Sequence, residues 1–115
     1  MTPKDKELLL KDICARLPYH VRVKVWLKDG TTEEGALDLE HNYGDVLRDA
    51  FYYNEIVKIK PHLFPLSSMT EEQQINLTKF VANGIHGENV LYDWYNKNHF
   101  DYRGLIEKGL AIDAT

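Results

Sequence analysis

The sequence predicts an α+β fold: an N-terminal helix, a small, strongly bent antiparallel sheet, then two to three C-terminal helices. Three observations carry this. Apolar residues recur at helical spacing from Leu9 to Leu17, and they alternate with period two from Val21 to Leu27. Past Ser67 the composition turns helical behind a capping signal. The 115 residues suit one domain. Residues 1–66 make the helix and sheet, and 67–115 a helical half packed on it.

Thr2 caps the first helix and Pro3 fits its first position. Leu9, Leu10, Ile13, Cys14 and Leu17 form its apolar stripe, and Pro18 stops it. In the next segment Val21, Val23, Val25 and Leu27 face the core, while Arg22, Lys24, Trp26 and Lys28 face outward. Asp29-Gly30 is a turn signal. A three-residue connection over 29–31 sets Val23 opposite Leu37, Val21 opposite Leu39 and Arg22 opposite Asp38. Gly35 then falls opposite Val25, where the strand can bend. A turn over 41–45 leads to a third strand at 46–51 and a fourth at 55–60, and Pro61 and Pro65 end the sheet. Ser68 with Glu71 reads as a capping box for a helix carrying Ile75, Leu77, Phe80 and Val81, which stops at Asn83-Gly84. A further helix spans about 88–96, and Asp101 caps a last short one closed by Gly109.

Composition narrows the function. No apolar run approaches the about 20 residues of a membrane span. The opening MTPKDKELLLKD has no signal-peptide pattern, so the expected location is cytoplasmic. A single cysteine forms no intrachain disulfide. The net charge of −4 argues against broad binding to duplex nucleic acid, yet leaves room for a local basic groove.

The first half resembles the Sm-like (SH3-like barrel) fold. Val23, Val25, Leu27, Asp29, Gly30, Gly35 and Leu37 match its bent strand pair, and Leu47, Asp49 and Ala50 its next strand end. The resemblance implies ring-forming homo-oligomers that bind single-stranded RNA. The family's D-x-x-M-N loop is replaced by His41-Asn42-Tyr43-Gly44-Asp45, and its Ile-Arg-Gly strand end by Ile59-Lys60-Pro61. KELLLKDICARLPY, IKPHLFPLSSMTEEQ and HFDYRGLIEKGLAI also resemble a family of short proteins common in gut Bacteroidetes and their phages or mobile elements. That family implies no activity and no catalytic residues.

No residue pattern points to catalysis, a cofactor or a metal, and the expectation is a non-enzymatic protein. Cys14 lies on the apolar stripe and reads as core. The five histidines lack the i, i+4 spacing of a metal pair. Asp38, Glu40, Asp45 and Asp49 form an acidic patch that alternation turns outward. Arg22, Lys24, Trp26, Lys28, Lys58 and Lys60 are the candidate nucleic-acid face. If the first and fourth strands are neighbours, these cations surround an indole able to stack on a base. The other reading packs Trp26 under the C-terminal helices and leaves the lysines to keep a sheet edge soluble. Phe100, Tyr102 and Arg103 are the candidate protein-partner patch, with Arg103 and Glu107 as an i, i+4 pair; alternatively Phe100 and Tyr102 anchor the tail. The expected function is an adaptor acting through protein contacts, with a single-stranded RNA-binding module as the alternative.

Overall fold

The computed structural model describes residues 2–39, 43–53, 55–83 and 87–115. Helix α1 (Pro3–Arg16) starts as the sequence predicts. The Thr2 hydroxyl accepts from Asp5 N at 3.1 Å, and the Asp5 carboxylate accepts in return from Thr2 N at 3.4 Å. A single 3-10 turn, Leu17–Tyr19, carries Pro18 and redirects the chain into β1 (Val21–Leu27).

The β1 alternation holds. Val21, Val23 and Val25 are buried with Leu9 and Ile13 of α1 and Leu17 of the turn. β1 pairs antiparallel with β2 (Thr32–Leu37), but the register differs from the expected one. Val21 faces Leu37, Arg22 faces Ala36, Val23 faces Gly35 and Val25 faces Glu33. The connection has three residues, as expected, but sits one position earlier. Leu27 N donates to Thr31 O at 2.8 Å and Gly30 N to Leu27 O at 3.0 Å. Gly30, at φ +90°, takes the last loop position, where the left-handed backbone favours glycine. The shift leaves Leu39 exposed instead of buried.

The expected third strand is a helix, α2 (Tyr43–Phe51). Val46, Leu47, Ala50 and Phe51 pack together against the core, at the i, i+1, i+4, i+5 spacing of one helix face. The expected turn at 41–45 falls partly outside the described residues. The following strand, β3 (Ile56–Pro65), pairs antiparallel with β1, with a bulge opposite Leu27 that leaves Val57 exposed.

Pro61 does not end β3. The Val23–Pro61 pair is the last between β1 and β3, as suits a residue without an N–H. Beyond it β3 takes two short parallel partners, β4 (Phe100–Asp101) beside Phe64 and Pro65, and β5 (Ile112–Asp113) beside His62 and Leu63. The sheet is therefore mixed, in the order β2-β1-β3-β4 with β5 also on β3, and it does not close into a barrel.

Helix α3 (Glu71–Asn83) is capped two residues later than expected. Thr70 and Gln73 exchange hydrogen bonds at 2.8 and 3.1 Å, while the Ser68 hydroxyl donates to Pro65 O. No α3 residue is buried; Ile75, Phe80 and Val81 are all exposed. Helix α4 (Gly87–Lys97) packs on α3, α1 and β4. Asp101 caps a turn rather than a helix, accepting from Leu105 N at 2.9 Å and Ile106 N at 2.8 Å. That turn delivers Leu105, Leu110 and Ala111 to the core. No helix is long and apolar enough to cross a membrane, among the described residues.

Candidate nucleic-acid interface

The core occupies one face of the sheet, so the even positions of β1, and those of β3 past its bulge, form the other. Register brings them together: Trp26 pairs with Lys58, and Lys24 with Lys60. The Trp26 ring is half-buried, with the ammonium groups of Lys58, Lys24 and Lys60 at 4.6, 5.2 and 5.9 Å from its centroid. Arg22 is exposed on the same side, opposite Ala36. Lys28 lies past the end of β1 at the hairpin, its backbone N–H bonded to Glu55 O at 3.1 Å. Lys28 therefore borders the cluster and does not join it.

Glu34, opposite Lys24, is the acidic side chain among the paired even positions, and its Oε1 lies 3.1 Å from His62 Nε2. Among the described residues no carboxylate is within ion-pair distance of Lys24, Lys58 or Lys60. Like charges facing each other across a strand pair cost a few tenths of a kcal/mol, so three ammonium groups around one ring are held against mutual repulsion. Edge protection does not account for Lys24, since β1 lies between β2 and β3. The alternation of β1 was legible in the sequence; the adjacency of Lys58 and Lys60 depends on β3 pairing next to it.

Phe100, Tyr102 and Arg103 do not form an exposed patch. Phe100 is 1% exposed, stacked on Trp94 with centroids 5.5 Å apart. Tyr102 stacks on Tyr92 and Tyr95, with the Arg103 guanidinium 4.5 Å from its centroid. Arg103 donates to Asp12 Oδ1 at 2.7 Å, not to the expected Glu107. Asp12 also receives both arms of Arg16, at 3.0 and 3.1 Å, and Arg16 donates onward to Phe100 O at 2.6 Å. Asp12 and Arg16 are fully buried. The cluster clasps the C-terminal segment to α1, which agrees with the anchoring reading of the tail.

His99 belongs to the same clasp. Its Nε2 lies 3.0 Å from Tyr19 O, so Nε2 carries the proton, and the buried Nδ1 has no partner among the described residues. Burial, assisted by the nearby Arg16 charge, lowers its pKa below the usual 6.5 against the opposing pulls of Tyr19 O and Asp12. The folded protein thus binds the proton less readily than the unfolded chain. The stabilisation is complete above 6.5 and is lost as pH falls from there through the folded value. Urea midpoints across this range are expected to drop more steeply for the native protein than for His99→Asn, which cannot titrate; parallel profiles would contradict this.

Cys14 is exposed, not core, because the buried stripe of α1 runs through Leu9, Asp12, Ile13 and Arg16. Partial desolvation raises its thiol pKa, away from what a nucleophile requires. Of the acidic patch, Asp45 pairs with Arg48 and Asp38 lies 3.9 Å from His20, while Glu40 falls outside the described residues. Asp49 borders an open cleft of about 350 Å³ lined also by Val23, Val25, Leu27, Glu33 and Glu55, with no histidine among the described residues of its lining. No group of three His, Cys, Asp or Glu side chains among the described residues is placed to hold a metal ion. No protein-family model matches the chain, and no curated protein or solved structure matches it.

Proposed function

We propose that this is a non-enzymatic binding module whose open sheet face takes single-stranded nucleic acid, RNA in the first instance. The observation that carries this is the Trp26 indole ringed by Lys24, Lys58 and Lys60, with no carboxylate partner among the described residues, on a chain of net charge −4. The lysines supply phosphate contacts, and Trp26 offers a ring on which an unpaired base stacks once an ammonium swings aside. A rigid duplex presents no free base face to the ring, so single strands are preferred. An Sm-type ring is not part of the proposal, because helix α2 stands where that fold has its third strand.

The test is a fluorescence titration of Trp26 with single-stranded and duplex RNA at several salt concentrations. Engagement of four phosphates gives a slope of log affinity against log salt of about −3. Binding then weakens roughly fifty-fold between about 50 and about 200 mM salt. Salt-independent binding, or equal affinity for the duplex, would defeat the reading. A protein-adaptor role is supported by a different surface: the exposed Ile75, Phe80 and Val81 of α3, which contributes nothing to the core. That role is the outcome favoured if RNA does not bind.

A further inference from the structure

We infer that the cleft beside the exposed edge of β3 is a phosphate site, and that Lys108 is a binding residue at its far wall. The inference rests on the nucleic-acid reading for its natural ligand, a backbone phosphate of the same strand that lies over Trp26. The cleft measures about 430 Å³ and runs between residues 57–60 of β3, the turn at Lys108–Leu110, and the first turns of α1 at Asp5 and Leu9.

Three features favour an anion there. Lys58, Lys60 and Lys108 all line the cleft, and the first two also flank Trp26, so one continuous basic track leaves the sheet face and passes over the strand edge. The edge itself is open. β5 pairs with β3 at His62 and Leu63, and among the described residues no strand pairs with the backbone before Pro61 on that side. In a strand, alternate residues point their N–H groups to the same side, and Leu63 O bonds outward to Ala114 N at 2.8 Å. The N–H of Ile59 therefore points outward as well, into the cleft. Lastly, the cleft adjoins the N-terminus of α1, whose peptide dipoles favour negative charge. Asp5 opposes them, but its carboxylate is engaged by Thr2 N, and the three ammonium groups outweigh it.

Backbone amide shifts of the full chain, titrated with inorganic pyrophosphate, test the site without requiring RNA. Saturable shifts are expected at Ile59, Lys108, Gly109 and Leu110, with affinity about fivefold weaker in Lys108→Gln. Shifts that fail to saturate, avoid these amides or ignore the substitution overturn the inference. Lys108 is exposed, so the substitution does not threaten the fold, and Lys11→Gln on the exposed side of α1 serves as the control that changes nothing. RNA then identifies the source of the phosphate. If the strand crosses the cleft, Lys108→Gln makes the salt slope shallower by about 0.7. Pyrophosphate binding without any RNA binding defeats the proposed function but supports a site for free phosphate compounds.

Discussion

Replacing Asp12 with alanine is expected to destabilise the fold by about 3–5 kcal/mol, a large part of the roughly 5–15 kcal/mol that holds a domain of this kind together. The Asp12 carboxylate receives two guanidinium groups, and it and Arg16 are fully buried. Without it the Arg16 charge is left inside the protein with the carbonyls of Phe100 and Tyr95, at 2.6 and 3.3 Å, and the face of Tyr102. Arg103 is half-buried and can turn outward, so its loss is smaller. The double variant Asp12→Ala/Arg16→Met is expected to recover part of the deficit, because no buried charge is then orphaned. It should not recover all of it, since Phe100 O still loses its donor. Urea unfolding of the native chain and the two variants decides the matter. A single-variant effect below about 1 kcal/mol would mean that the clasp contributes little.

The second large effect concerns binding. Lys24→Glu/Lys60→Glu is expected to abolish measurable single-stranded RNA binding, because it replaces two phosphate contacts with two repulsive charges beside Trp26. Stability is the control. Lys24 and Lys60 face each other across β1 and β3, so the native pair already repels, and two glutamates repel to a similar degree. The added cost is Lys24→Glu facing Glu34 on β2 and the loss of two ammonium groups from the Trp26 ring. The free energy of unfolding should therefore fall by about 1–2 kcal/mol, with the fold kept while binding is lost. Retained binding in the double variant would remove the sheet face from consideration and turn attention to α3.

The valine alternation of β1, the Thr2 cap and the Asp29-Gly30 turn were all legible in the sequence, since each depends on residues within a few positions of one another. The hairpin register was not. A three-residue loop fits Asp29-Gly30 in either of two frames, and what separates them is whether Gly30 or the residue after it takes the left-handed position. Val46, Leu47, Ala50 and Phe51 satisfy a helix stripe as readily as a short strand, and the Sm-like resemblance favoured the strand. The Asp12–Arg16 pair illustrates a different obstacle. Opposite charges at i, i+4 ordinarily mark a solvated helix face. Here they share a stripe with Leu9, Ile13 and Leu17, and they are sealed in by residues more than 80 positions away. The binding face fell between these cases. Its residue types were readable from alternation, while their convergence on one ring awaited the placement of β3 beside β1.

Pairing β4 and β5 with the far half of β3 has a kinetic corollary. Leu63 lies at the centre of the core, yet its outward carbonyl waits for Ala114, and Phe64 waits for Phe100. Contacts so remote along the polymer form only after large loops close, a search that slows acquisition of native structure relative to a chain built from local contacts. Until the tail docks, the far half of β3 lacks the strands that complete it, and that edge is the part of the chain most open to self-association.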